Sequence, residues 1–391
     1  MRQKLIALGL VLPLLIFIIF SFVMPIGALL LNSFVDPKIR TLLPATVNAL
    51  VHWDGKDLPP EAAFAAFVQD IKVNQQNETV PLVGKYLNYE ISGIRSKLQD
   101  AAKKIEKLDR PPFKAAVTAL EPVLAQTTIW ILIKRGHSIF TPNYLLHALD
   151  LKLDNAGQIV GTSEERNIYK SIYLRTFLIS LTVTLATLVL AYPVAWLLAS
   201  LPTRKANLLL IFVLLPFWTS LLVRTTAWYV LLQDNGVIND FLIAAGITKE
   251  PLKLIFSRFG TIVAMTHIQL PFTLLPIYSV MKTISPSYMR AARSLGASPT
   301  YAFVKVYMPL ALPGVAAGCL LTFILCLGYY ITPALVGGPT DQMVSGVIAE
   351  AMNRDLNWGK ASALGAILLG ATISLYLIYD RLVGIDNLKL G

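Results

Sequence analysis

The chain has 391 residues, 34 Lys plus Arg against 23 Asp plus Glu, a net charge of +11 and 55% hydrophobic residues. Its mean hydropathy of +0.61 excludes a wholly water-soluble protein. Residues 33–170 hold 17 basic and 15 acidic side chains, which leaves 17 basic and only 8 acidic for the rest. A basic excess beside apolar runs points to loops facing anionic membrane lipid and a protein partner, and calls for no nucleic acid.

The first apolar run, Leu5 to Leu31, has 27 residues without a charge, and about 20 helical residues cross a bilayer. It exceeds the apolar core of a signal peptide, about 7 to 15 residues, and ends in Leu30, Leu31 and Asn32 rather than at a small-residue cleavage site. Residues 1–32 are therefore expected to be a retained transmembrane helix. Residues 33–170 have the composition of a soluble domain. Glu61 to Lys72, Tyr86 to Leu108 and Phe113 to Lys134 place apolar residues at helical spacing, punctuated by Pro59, Pro60, Pro81, Pro111, Pro112 and Pro142. A mostly helical insertion is expected there. Its 11-residue apolar run, Val123 to Ile133, is too short to span and reads as the buried face of a soluble helix. His52, His137 and His147 lack metal-ligand spacing.

Further uncharged runs are Thr176 to Thr203, Ala206 to Val223 continuing past Arg224 to Gln233, Phe259 to Met281, Val306 to Thr340, and Ala361 to Tyr379. Val306 to Thr340 is long enough for two spans, but Pro333, Gly337, Gly338 and Pro339 make its end a poor helix. One helix plus a re-entrant or external loop is expected. Cys319 and Cys326 lie on one helical face, too far apart along the axis for a disulfide. The fold class is thus an all-α membrane protein of six transmembrane helices, with segments 1–32, 33–170 and 171–391. Arg2, Lys4, Arg204, Lys205, Lys282, Arg290, Arg293, Lys305, Arg381 and Lys389 all fall on one side of such a topology. The positive-inside rule makes that side cytoplasmic, with both termini, and places residues 33–170 outside.

The stretch from Ser285 to Val315 is not an ordinary connector. Ser285 and Pro286 start a short helix, Gly296 stops it, and Ser298 with Pro299 starts another. Such an element suits either a partner's groove or the lipid surface. It reads Arg290, Ala291, Ala292, three residues, Gly296, with Pro309 and Pro313 downstream. This resembles the cytoplasmic signature of the integral membrane subunits of ATP-binding-cassette (ABC) importers fed by a binding protein. Arg290 stands where that family usually has Glu. Leu214 to Asn239, Ala191 to Ala199 and Thr332 to Gly338 look like the polyamine-type subset of these permeases. The resemblance covers about residues 170–385 and not residues 33–165.

The resemblance implies a permease subunit in a bacterial inner membrane that is not itself catalytic. It implies two ATPase subunits, a second permease subunit, commonly a different chain, and an extracytoplasmic solute-binding protein. ATP and Mg would be bound by the ATPases, and this chain would carry no cofactor or metal. The solute would be a polyamine or related amine, with opine, amino-acid-like and phosphonate solutes as alternatives. The coupling segment near 286–300 would contact the ATPase through Ser287, Tyr288, Arg290, Ala291, Ala292, Arg293, Gly296 and Ala297. In agreement, the sequence has no phosphate-cradling Gly-x-x-x-x-Gly-Lys-Ser/Thr.

Polar groups inside spans point to function by default. Arg224 interrupts the third apolar run beside Trp218, Thr219 and Tyr229, and reads either as an interfacial anchor or as part of a vestibule or partner contact. His267 and Gln269 either line the path or bond a neighbouring helix. A secondary transporter or channel would show an inverted repeat and mid-span acids, neither of which is present. A membrane-anchored sensor would need a larger cytoplasmic tail, and an intramembrane hydrolase a partner for His267. Residues 33–170 have three readings: docking of the binding protein or capping of the outer vestibule, ligand sensing, and stabilisation alone.

Overall fold

The computed structural model describes residues 2–88, 90–163 and 167–383; Lys389 lies outside them. The chain divides into two units, one running to Thr162 and taking in Trp358–Ala363, the other comprising Ser163–Asn357 and the chain from Leu364.

The first unit begins with α1 (Arg2–Ile18), a π-turn (Ile19–Val23) and α2 (Met24–Asn32). Gly9–Asn32 is long and apolar enough to cross a membrane, and none of it is buried. The π-turn sits just before Met24-Pro25, where the proline cannot donate a backbone bond and an i→i+5 turn absorbs the mismatch. The rest is a helical domain: α3 (Lys38–Leu42), α4 (Pro44–Ala49), α5 (Glu61–Gln76), α6 (Val80–Leu87), α7 (Ile94–Ile105), α8 (Phe113–Leu120), α9 (Thr127–Arg135) and α10 (Asn143–Ala148). The antiparallel strands β1 (Leu151–Leu153) and β2 (Ile159–Gly161) form a small hairpin in a chain read as all-helical. Asp154 explains it, since its carboxylate accepts from the Gln158 amide and closes a turn around Gly157, whose φ is +82°.

The core of this domain is built on Phe64, Phe67 and Trp130, with ring centroids 4.3 and 5.3 Å from the indole. Trp130 lies in the short apolar run, on the buried face of α9 with Ile129 and Ile133. Polar groups fix the helix ends. The buried Asp70 of α5 accepts from the Thr46 amide at 2.7 Å and the Thr46 hydroxyl at 2.6 Å, capping the first turn of α4 from a distance. Glu61 does the same for the Phe113 and Lys114 amides of α8.

The second unit contains α11 (Tyr169–Ser200), α12 (Thr203–Leu214), α13 (Leu221–Leu231), α14 (Val237–Ala244), α15 (Arg258–Thr283), α16 (Pro286–Ser294), α17 (Pro299–Ala302), α18 (Met308–Leu327), α19 (Ile331–Val336), α20 (Val344–Asn353) and most of α21 (Trp358–Val383). Five segments of the described chain span by length and composition, and a sixth is a broken pair bent by 92°. The bend divides the third apolar run in two. Pro216 lies in a 3₁₀ turn, Thr219 is extended with ψ 150°, and the Ser220 hydroxyl starts α13 anew by accepting from the Val223 amide. The long run from Val306 resolves into one span, then the short α19 and a 3₁₀ turn (Pro339–Asp341), as its prolines and glycines require.

The centre of this unit is the packing of α11, α15 and α18. Gly314 and Gly318 of α18 let the backbones approach, and a Cβ on Gly318 would lie 2.6 Å from the Thr273 carbonyl oxygen. Thr273 donates to Thr187 at 2.9 Å and shares a 2.6 Å bond with Thr322, which joins the three helices in one buried hydroxyl chain.

Candidate functional site

The segment from Ser285 is built by local sequence. The Ser285 hydroxyl accepts from the Ser287 amide, and Pro286 occupies the first helical position. Gly296 has φ +89°; its amide donates to the Arg293 carbonyl at 3.0 Å and the Ala297 amide to the Ala292 carbonyl at 3.1 Å. These two bonds are the Schellman termination, in which a left-handed residue closes the helix. Ser298 then accepts from the Tyr301 amide to start α17, which continues through a π-turn (Phe303–Tyr307) into α18. That π-turn also precedes Met-Pro, here Met308-Pro309.

The result is a nine-residue helix whose side chains are available to a partner. Ser287, Tyr288, Arg290, Ala291, Arg293 and Gly296 are exposed, and Ala292 and Ala297 are half-buried. Arg290 and Arg293 carry the charge of α16, which contains no acid. Leu295, 89% exposed just past its end, adds an apolar contact point that the sequence reading did not single out.

The polar residues inside the spans separate into two groups. Arg224, one turn into α13, and His267 of α15 belong to the first. The Trp228 indole N–H donates to His267 Nδ1 at 3.1 Å, so the ring accepts there and carries its proton on Nε2. The Arg224 guanidinium lies 5.8 Å from the Phe217 ring centroid, and Phe217 packs on Phe272 at 5.0 Å. Trp218 and Thr219 mark the bend itself and are exposed, while Tyr229 turns towards Phe256, ring to ring at 5.9 Å. Gln269 belongs to the second group. It is fully buried, two residues along α15 from His267, with the Cys326 thiol beside it. The structure therefore brings Arg224 and His267 together with Trp228, and leaves Gln269 on a different face of α15.

Two features were missed from sequence. The threonine chain and the Gly314/Gly318 pair were legible as small residues at helical spacing, yet periodicity alone does not say which helices they join. Arg258 and the buried Asp341 form a 2.9 Å ion pair between elements 83 residues apart, which no local pattern marks.

Residues 176–385 match the family described as binding-protein-dependent transport system inner membrane component. The spermidine/putrescine transport system permease protein PotB of Escherichia coli is 34% identical over 55% of this chain and 80% of its own. PotB of Haemophilus influenzae is 32% identical over 57% of this chain and 80% of its own. Among solved structures, a bacterial alginate ABC transporter in complex with an alginate pentasaccharide-bound periplasmic protein gives a TM-score of 0.44 at 16% identity, covering 57% of this chain and 82% of that one.

Proposed function

The chain belongs to the binding-protein-dependent transport system inner membrane components, and from that premise we propose that it forms one half of the pathway that imports a polyamine or closely related amine. It is a permease subunit of an ABC importer, a multi-pass inner membrane protein of a family that is not itself catalytic, and it works with ATPase and solute-binding partners. The observation that supports the solute class is the 34% identity to a spermidine/putrescine permease across 80% of that protein.

The assembly that fits is two ATPases, this chain and a second, different permease subunit, with the solute-binding protein outside. ATP and Mg are bound by the ATPases. Both termini face the cytoplasm, and residues 33–170 face the binding protein. The α16 segment, with Ser287, Tyr288, Arg290, Ala291, Ala292, Arg293, Gly296 and Ala297, enters the ATPase groove and carries its closure to the spans, so that ATP binding shifts the population between inward- and outward-facing states. The exposed helix with its Schellman stop supports this role, because a rigid end transmits displacement where a frayed one would absorb it.

The test is uptake by the complete importer in proteoliposomes, with spermidine, putrescine and ornithine offered separately with the cognate binding protein. ATP-dependent uptake of spermidine or putrescine is expected. Transport of ornithine alone would overturn the solute class and leave the family intact.

A further inference from the structure

Among the described residues, none balances the charge of Arg224. Its Nε and Nη1 are buried and make no hydrogen bond, and among the described residues no carboxylate pairs with it. Its neighbours add donors and no acceptor of comparable strength. His267 presents Nε2–H because Nδ1 is occupied by Trp228, and the Arg224 charge acts on both His267 and Tyr329. No Asp or Glu lies in α11, α12, α13, α15 or α18. The surface around the guanidinium is uncovered as well: Trp218 is 81% exposed, Val223 59% and Leu222 57%. An apolar face of this size surrounding an unbalanced cation fits half of an interface, since a charge in hydrocarbon is costly unless it is paired or reaches water.

We propose that this face is covered by the second membrane subunit, and that a carboxylate of that subunit pairs with Arg224 inside the membrane. The inference rests on the permease reading and deepens it by naming the partner chemistry. The proposed solute argues for the same arrangement. A polyamine moving past a bare guanidinium would be repelled, whereas a guanidinium already paired to a carboxylate presents no net charge to it. A planar, bidentate donor also fixes the register of the two subunits, which an ammonium does less well.

The experiment compares Arg224→Lys, Arg224→Gln and Arg224→Glu in the complete importer. One readout is the fraction of the second membrane subunit that stays with this chain on purification in detergent at rising salt. The other is spermidine uptake after reconstitution. Pairing to a carboxylate predicts that association falls in the order wild type, Lys, Gln, Glu, with Gln at least tenfold weaker than wild type and Glu weaker still. Association within twofold of wild type for both Gln and Glu overturns the proposal. So does unchanged association accompanied by an altered preference between putrescine and 4-aminobutanoate, because the carboxylate would then be the solute's own. Failure of the wild type to transport spermidine would sink the solute class and leave the association readout intact, so the two failures are distinguishable.

Discussion

The domain of residues 33–162 and the α11/α15/α18 bundle are both helical, yet they are held together by different means. The domain buries its largest side chains, Phe64, Phe67 and Trp130, at its centre. The bundle buries glycine, alanine and threonine alongside Ile179, Met265, Ile268, Leu274 and Ile277, and turns Leu185, Val189, Leu190, Leu312 and Leu321 outward. In water, removing large apolar surface is the driving force, so the bulky residues go inside. In lipid that force between helices is absent, and close backbone approach with interhelical hydrogen bonds takes its place. One chain thus carries two folding codes, and the switch between them falls where the composition changes.

The sharpest way to break this contrast is at Gly318. A valine there would drive its Cβ into the Thr273 carbonyl of α15, backbone that cannot move aside cheaply. Loss of nearly all folded permease from the membrane is expected, read as protein level and uptake together. Near-normal accumulation would mean that close backbone approach is not what holds the bundle. The complementary change, Phe64→Ala, removes the centre of the other core and is expected to destabilise that domain by about 3–5 kcal/mol. The bundle should still accumulate. Hydrogen exchange would show faster opening of α5 and α9 with α11 and α15 unchanged, and equal loss of protection in both would refute separate cores.

A smaller, local effect is expected at Gly296. A β-branched residue at φ +89° is strained by roughly 1–2 kcal/mol, although no atom lies within 4 Å of its missing Cβ. Gly296→Val should therefore insert and assemble, yet lower solute-stimulated ATP hydrolysis about tenfold by loosening the end of α16. Wild-type coupling would show that the Schellman stop is dispensable for transmission. The contrast with Gly318 is informative, since one glycine serves packing and the other conformation.

The same two codes explain what was legible in the sequence. Runs without charge gave the spans, because hydrocarbon tolerates no unpaired charge, and Ser285, Pro286 and Gly296 gave α16, because caps are local. The 92° break was not legible. The apolar pattern on either side of Pro216 continues unbroken, and it is the 3₁₀ turn followed by the extended Thr219 that turns the chain. The pairing of Trp228 with His267 was hidden for a different reason: it joins residues 39 apart, and a single sequence carries no signal for such contacts. In the domain of residues 33–162, the helices showed as periodicity, whereas the capping of α4 by Asp70 depends on a tertiary approach that spacing does not encode.

The smallest expected effect lies in that domain and depends on pH. Glu90 and His147 meet at 2.7 Å, half-buried, with Arg135 and Lys152 acting on the same carboxylate. Burial alone would push the Glu90 carboxyl up, but the His147 hydrogen bond, its charge and the two basic side chains hold it below its ordinary value. The folded domain therefore releases this proton more readily than the unfolded chain does. Its contribution is complete above the unfolded value of about 4.3 and is lost as pH falls through the lower folded value. On the order of 1 kcal/mol is expected, the size of a charge-assisted bond reduced by residual exposure. Protection factors in α7 and α10, corrected for intrinsic exchange rates, should decline as pH falls below about 4.5. Glu90→Gln should start lower at pH 7 and decline less. The bundle is the internal reference, because none of its spans places a carboxylate in the α11/α15/α18 packing, so α11 and α15 should show no matching decline. A parallel loss in both regions would assign the acid sensitivity to the whole molecule and not to this pair.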